Sequence, residues 1–240
     1  MALPGVFCWT RMGAEAGQSL ESILQRKDAE REANGGLFFW GIGNAIGPSV
    51  RELLKCDPEP EVIFSPIKSR ARREDTSPTA VVAWTQAEGV DGTPFDLPSR
   101  ALITSRLDLA APKSTHYALV CAAAAPLTMA GAGGVVDIGE LENLLTGRPI
   151  GASQVTAIVR RRKGRAVARE YNVVLRARLV PPYFLRLRDP ILLPRERDAQ
   201  EWQSVVANVW ASVLRRRQSP RSAAQSRLTL TSQSLSALLD

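Results

Sequence analysis

GGLFFWGIGNAIG, residues 35–47, is the most distinctive local pattern in the chain. Four large apolar residues at positions 37–40 stand in an unbroken run bounded by glycines, which predicts a short buried strand rather than an amphipathic helix. The three glycines that follow, Gly41, Gly43 and Gly47, surround Asn44. Glycine can adopt a positive φ and lets another molecule approach the main chain closely. The stretch therefore predicts a strand that enters a turn able to hold a ligand.

The segments around this stretch predict alternating strands and helices. A β-prone run at residues 6–10 predicts the first strand, and a capping box of Ser22 and Gln25 predicts a helix that ends at Asn34. After Gly47, Pro48 suits the first turn of a short helix that ends near Lys55. Residues 61–64 predict the next strand.

The middle of the chain reads mostly as strands. Strands are predicted at residues 81–85, 101–107 and 116–122, with a turn at residues 90–93. A second capping pattern of Asp137 and Glu140, followed by apolar residues at helical spacing, predicts a helix that ends at Gly147.

The last third of the chain has a different character. Residues 154–180 predict a hairpin that turns at Lys163-Gly164, and the alternation in its second strand puts Arg176 and Arg178 on one basic face. Residues 198–217 predict an amphipathic helix whose apolar face includes Trp202 and Trp210. Residues 218–240 are rich in Ser, Gln and Arg and predict a flexible tail.

These elements predict the α+β class: a curled mixed sheet or small β-barrel with peripheral helices, the hairpin and the C-terminal helix. The predicted organisation is one domain over residues 1–217. It consists of a core with inserted helices at 1–150, the basic hairpin region at 151–190 and a packing helix at 198–217.

Charge is distributed unevenly along the chain. Residues 1–150 carry 14 Lys and Arg against 18 Asp and Glu, whereas residues 151–240 carry 17 against 6, a net of +11. Such a positive field favours a polyanionic partner, although solvated arginine-rich faces would give the same count.

Cysteine content and the N-terminus bear on the compartment. Cys8, Cys56 and Cys121 are odd in number and widely spaced, which favours a reducing compartment. Met1-Ala2-Leu3-Pro4 does not resemble a signal peptide, so the predicted location is the cytoplasm. The uncharged window at residues 117–136 contains Pro126 and three glycines, and we interpret it as a buried strand and a loop rather than a membrane span.

The chain carries no catalytic constellation that we recognise. GIGNAIG has GxGxxxG spacing, one residue longer than the dinucleotide fingerprint. His116 is the only histidine, and neither GxSxG nor HExxH occurs. We therefore expect no metal and no cofactor, and whether the protein is an enzyme stays open.

Aromatic and basic residues suggest a binding site. Trp9, Trp40 and Trp84 each end a predicted strand, and their indoles could form a pocket in which a planar base stacks. The predicted base-binding residues are Trp9, Thr10, Trp40, Gly41, Gly43, Asn44 and Trp84. The predicted phosphate-binding residues are Lys68, Arg70, Arg72 and Arg73 in a basic loop, and Arg160, Arg161, Arg162 and Lys163 in the hairpin.

The order of these elements resembles the PUA-like superfamily, which includes EVE, ASCH and YTH domains. The resemblance covers residues 5–125 and depends on the Trp9 strand, the following helix and the FFW strand that ends at Trp40. It implies a small β-barrel whose mouth binds RNA or a modified DNA base.

The sequence predicts a non-catalytic protein that binds RNA or DNA and reads a flipped or modified base in an aromatic pocket. One alternative is a nucleotide-dependent enzyme that uses the glycine-rich loop 41–47. The other is a subunit of a larger assembly, with a protein partner on the C-terminal helix or tail. We expect no membrane partner.

Overall fold

The structure is a computed structural model that describes residues 2–12, 19–67, 79–89, 92–95, 103–108, 116–128, 133–162, 164 and 167–192. Within these residues the chain forms the helices α1 (Leu20–Ala33) and α2 (Gly47–Cys56) and one turn of 3-10 helix at Ile138–Glu140. The strands are β1 (Val6–Met12), β2 (Leu37–Ile42), β3 (Glu61–Pro66), β4 (Thr79–Gly89), β5 (Pro94–Phe95), β6 (Ile103–Asp108), β7 (His116–Ala122), β8 (Val135–Asp137), β9 (Leu141–Asn143), β10 (Thr156–Arg161), β11 (Glu170–Asn172) and β12 (Leu175–Leu192).

Most of the strands belong to one mixed sheet with the order β2-β7-β12-β3-β1-β10-β9. β1 and β3 are parallel, and the other ladders are antiparallel. β12 is 18 residues long and pairs with β3 at its start, β7 in its middle and β4 at its end. β4 also pairs with β5 and β6. β8 and β11 form a separate two-stranded sheet.

Both faces of the main sheet are covered. On one face, α1 and α2 contribute Leu24 and Leu53 to a core that contains Phe38 and Trp40 of β2. On the other face, Phe39 packs in a second cluster with Val120 and Leu185. Because β2 is buried on both sides, its apolar residues run without alternation.

The coarse class is confirmed: the described chain is a large mixed sheet with two α-helices. The predicted strands at residues 6–10, 37–40, 61–64, 81–85 and 116–122 coincide with strands of the structure, as does the described part, 103–107, of the strand predicted at 101–107, and both helices before residue 60 are present. The described strands do not close into a barrel. β2 and β9 end the main path, and β6 lies beside β2 without a ladder between them.

The predicted helix from Asp137 to Gly147 is wrong. That segment forms the end of β8, the 3-10 turn and β9, which pairs with β10. Asp137 does act as a cap, because its Oδ1 accepts from the backbone N–H groups of Gly139 at 2.9 Å and Arg169 at 2.8 Å. The cap therefore stabilises a turn between strands instead of a helix.

The predicted hairpin over residues 154–180 is also wrong. β10 pairs with β1 and β9, whereas β12 pairs with β3, β7 and β4. The two strands thus belong to one sheet without being partners, because β1 and β3 lie between them.

A smaller error concerns the start of α1. The N-cap is Ser19, whose side chain accepts from the N–H of Ser22 at 3.0 Å, so the helix begins one turn earlier than the predicted box. The predicted helix at residues 198–217, the tail at 218–240 and any partner on them lie outside the described residues.

Candidate functional site

The three tryptophans of the predicted pocket do not meet. Trp9, Trp40 and Trp84 are 0%, 9% and 1% exposed, and each belongs to a different hydrophobic cluster. Trp9 donates from Nε1 to Ser65 Oγ at 3.2 Å. Trp40 packs edge-on against Phe64, and Trp84 stacks on His116. A pocket walled by these indoles is therefore not formed, because each ring fills a separate part of the core.

Thr10 is likewise part of the interior. It is fully buried, and its Oγ1 lies 2.8 Å from Oγ1 of Thr156 across the β1–β10 ladder. Its hydroxyl thus serves the packing of two strands and is not accessible to a base.

The glycine-rich loop is at the surface. Gly41 belongs to β2, Gly43 and Asn44 are exposed, and Gly47 opens α2. The described glycines with positive φ do not include Gly41, Gly43 or Gly47. These three glycines therefore do not adopt the left-handed conformation, and the loop reaches α2 without a positive φ at any of them.

A cleft of about 390 Å³ opens beside this loop. Its lining combines the loop and the start of α2 with residues of β4, β7 and β12 and with one glycine between β4 and β5: Ala45, Gly47, Pro48, Glu88, Gly89, Gly92, Tyr117, Phe184 and Arg186. The predicted loop and a real cavity thus coincide, although the other walls come from distant parts of the chain.

The register of the sheet explains this meeting. Ile42 of β2 is opposite Tyr117 of β7, Tyr117 is opposite Arg186 of β12, and Arg186 is opposite Glu88 of β4. Directly opposed residues share one face of a sheet. The row of four side chains crosses the face on which α2 packs, and the start of α2 forms a wall above it.

The aromatic part of the cleft is a stacked pair. The rings of Tyr117 and Phe184 are nearly parallel, with centroids 5.2 Å apart and an interplanar angle of 13°. Phe184 is buried in the core, while Tyr117 is partly exposed. The core therefore holds the inner ring rigidly, and the outer ring is offered to the cleft.

The charged part of the cleft is an ion-pair group at its rim. Glu88 Oε1 lies 2.7 Å from NH2 of Arg188 and 3.6 Å from NH1 of Arg186. The first contact is a hydrogen bond, and the second is only a Coulomb contact. Glu88 is thus anchored by Arg188 and leaves donors of Arg186 for another anion.

The start of α2 adds main-chain donors. Its N-cap residue, Ile46, makes no side-chain hydrogen bond to the first turn, and that turn contains no acidic residue. The first N–H groups of a helix have no partner within the helix and favour negative charge, and since Pro48 has no N–H, those of this turn belong to Gly47 and Ser49. This wall of the cleft is consequently compatible with an anionic group, as the context of the glycine-rich loop predicts.

Three of the predicted phosphate-binding residues, Arg160, Arg161 and Arg162, belong to the described chain. Arg160 and Arg161 end β10 beside the start of β1, and Arg162 follows them. Lys68, Arg70, Arg72, Arg73 and Lys163 lie outside the described residues.

The predicted basic face of β12 is largely neutralised. Arg176 makes a two-pronged contact with Glu61 Oε2, at 2.8 Å from Nε and 2.5 Å from NH2. Arg178 lies 3.6 Å from Glu59, and Arg160 of β10 lies 2.7 Å from Glu142. These three arginines each lie beside a glutamate, so they add less net positive charge to the described surface than the count of arginines in the sequence suggests.

A buried ion pair holds α1 to β2. Lys27 Nζ donates to Glu30 Oε2 at 2.8 Å and to the carbonyl of Phe39, and Glu30 Oε1 accepts from the N–H of Phe39 at 2.8 Å. We call this group the α1–β2 clamp. β2 ends the main strand order, so the clamp satisfies main-chain groups of an edge strand that would otherwise be open to pairing.

Burial perturbs the ionisable groups near this clamp. Desolvation lowers the pKa of Lys27 from 10.5 to about 8, against the opposing effect of the Glu30 carboxylate. Burial also raises the pKa of the Cys8 and Cys121 thiols. The Lys27 and Glu30 side chains are almost fully buried, and their hydrogen bonds join α1 to the main chain of β2, so we interpret the clamp as a structural element.

Comparison with protein-family models, curated proteins and solved structures finds no match to this chain. The resemblance to the PUA-like superfamily therefore stays a prediction. Among the described residues, no helix is long and apolar enough to span a bilayer, and no group of His, Cys, Asp and Glu is arranged to hold a metal ion.

Sequence reasoning missed the functional candidates Glu88, Tyr117, Phe184 and Arg186. The alternation in YFLRLR, residues 183–188, did indicate that Phe184, Arg186 and Arg188 share a face. What the sequence does not contain is the register that places Tyr117 and Glu88 on either side of Arg186.

Proposed function

We propose that this protein binds nucleic acid and that the cleft between α2 and β12 holds one nucleotide of it. The observation that carries the proposal is the cleft itself, in which a stacked aromatic pair, an arginine and the start of a helix surround one cavity. Its volume of about 390 Å³ lies within the range of ligand sites.

The base would stack on Tyr117. Base–aromatic stacking contributes about 1–3 kcal/mol and is tolerant of sequence, because every base has a π-face. Tyr117 is supported from behind by Phe184, so its ring is already held in a fixed orientation. A preorganised ring loses little conformational entropy on binding.

The phosphate would lie between Arg186 and the start of α2, where Gly47 and Ser49, but not Pro48, carry a main-chain N–H. Arg186 is half-exposed, and its Glu88 contact at 3.6 Å leaves donors available. Arginine suits phosphate because its planar fork donates in pairs. The hydrogen bond from Arg188 to Glu88, the acidic residue of the lining, supports binding without catalysis.

RNA and DNA are both compatible with this proposal, and so is a modified base. The buried cysteines Cys8 and Cys121 are free thiols, which supports the cytoplasm as the proposed location.

The test is fluorescence anisotropy with labelled single-stranded DNA and RNA. We expect Tyr117→Ala to weaken binding by about 1–3 kcal/mol and Tyr117→Phe to retain it, because phenylalanine keeps the ring. Arg186→Gln should weaken binding about tenfold and reduce the slope of log affinity against log salt by about 1.

Arg178→Gln is the matched control for Arg186→Gln. Both arginines lie on β12 and are half-exposed or more, and each has a glutamate at 3.6 Å, but Arg178 is outside the cleft. Equal losses for the two variants would mean that charge alone matters and would refute the assignment of the cleft. Absence of binding at low salt would refute the function.

The alternative of a nucleotide-dependent enzyme has one observation in its favour. The loop at residues 43–47 borders the cleft and leads into α2, which is the strand–loop–helix context of nucleotide-binding loops. A free nucleotide differs from a nucleotide within a polymer chiefly in phosphate charge. The preference of the cleft for one or the other therefore distinguishes a nucleotide-dependent enzyme from a nucleic-acid-binding protein.

A further inference from the structure

The cleft contains one negative charge that opposes its arginine. Among the lining residues, Glu88 and Arg186 carry the formal charges, and these cancel. Arg188 adds a positive charge nearby, but its NH2 is hydrogen-bonded to Glu88 at 2.7 Å. The site thus differs from the strongly cationic sites that hold polyphosphates with several Lys, Arg or metal charges.

Glu88 is held in place whether or not an anion is bound to Arg186. Its side chain is 20% exposed, against 46% for Arg186 and 51% for Arg188. Its hydrogen bond is to Arg188, so an anion that binds Arg186 does not have to displace that bond. A bound phosphate would therefore lie beside a fixed carboxylate.

We propose that Glu88 makes the cleft selective for a phosphodiester-linked nucleotide over a free nucleoside triphosphate. This inference rests on the proposed function. A phosphodiester brings one negative charge, which Arg186 and the α2 N–H groups can balance. A triphosphate brings several, and the charges beyond the first would be repelled by Glu88 at short range in a partly desolvated site.

The size of the effect follows from one close repulsion. Like charges within a few ångströms near a protein surface repel strongly enough to change affinity by about tenfold or more. We therefore expect a thymidine dinucleotide with one phosphodiester to bind at least about tenfold more tightly than thymidine triphosphate at physiological salt, although the base is the same.

The experiment measures both ligands as competitors of a labelled oligonucleotide, with the wild-type protein and Glu88→Gln. We expect Glu88→Gln to bind the triphosphate more tightly and to bring the ratio of the two affinities close to one. Glu88→Asp keeps the charge and should keep the preference for the dinucleotide. Glu59→Gln is the matched control, since Glu59 faces Arg178 at 3.6 Å outside the cleft and should leave the ratio unchanged.

The possible failures can be told apart. If neither competitor displaces the oligonucleotide from the wild-type protein at low salt, the proposed function fails and the selectivity fails with it. If both compete but the triphosphate binds as tightly as the dinucleotide, only the selectivity is refuted and the nucleotide-dependent enzyme gains support. An unchanged ratio in Glu88→Gln also refutes the role of Glu88. Circular dichroism of each variant shows that the fold is retained.

Discussion

Replacing both members of the α1–β2 clamp, Lys27→Met with Glu30→Gln, should change how protein stability depends on pH. In the wild-type protein, desolvation lowers the pKa of Lys27 from 10.5 to about 8. Between these two pH values the unfolded chain binds a proton at Lys27 and the folded chain does not. Stability therefore rises with pH in this window and is lowest below pH 8, where the buried amine is charged.

The magnitude follows from the size of the shift. Each pKa unit corresponds to about 1.4 kcal/mol, so the shift of Lys27 amounts to about 3 kcal/mol across the window. Cys8 and Cys121 have the opposite effect on stability. Their pKa values are raised in the folded protein, so the thiols of the unfolded chain ionise first and the free energy of unfolding falls as pH rises above 9.0. Both thiols remain in the double variant, and burial is the largest cause of their shifts, so most of their contribution cancels when the two proteins are compared.

The assay is urea unfolding followed by far-ultraviolet circular dichroism at several pH values from 7 to 10, with a reductant present. We expect the free energy of unfolding of the wild-type protein, minus that of the double variant, to increase by about 2–3 kcal/mol over this range. A difference that is constant with pH would refute the reasoning, since it would mean that Lys27 keeps an ordinary pKa in the folded protein.

Three further predictions concern stability and thiol accessibility. Ser19→Ala should destabilise the protein by about 1 kcal/mol because it removes the N-cap of α1, as thermal unfolding of the variant would show. Gly139→Ala should cost more than about 2 kcal/mol, because a Cβ there would lie 2.5 Å from the carbonyl oxygen of Val167, whereas Gly5→Ala has nothing within 4 Å and should be close to neutral. In the folded protein a thiol reagent should modify Cys56, which is exposed, and should reach Cys8 and Cys121 only after urea is added; rapid labelling of all three would contradict their burial.

Local patterns in the sequence predicted those strands and helices whose type follows from adjacent residues alone. The run at residues 37–40 predicted β2 because burial on both faces leaves no polar position, and Pro48 predicted the start of α2 because proline suits the first helical turn. The segment after Asp137 shows the opposite case. Its apolar spacing fits a helix, but β10 offers a ladder to β9, and that partner lies too far along the chain to be read from spacing.

The candidate site depends on register, which local patterns do not contain. The tryptophans were expected at a pocket because each ends a strand, yet those strand ends face different clusters of the core. The cleft arises instead where Tyr117, Arg186 and Glu88 come opposite one another on three strands. Only the glycine-rich loop was predicted at the site, because its context between a strand and a helix is local.

The length of β12 bears on how the chain folds during synthesis. This strand pairs with β3, β4 and β7, which are all made much earlier, so those ladders stay incomplete until residues 175–192 have left the ribosome. Contacts between residues far apart in sequence slow folding, and open strand edges can pair wrongly in the meantime. A nascent chain that stops before β12 should therefore require a chaperone, and release of β12 should be the step that commits the described strands to their native sheet.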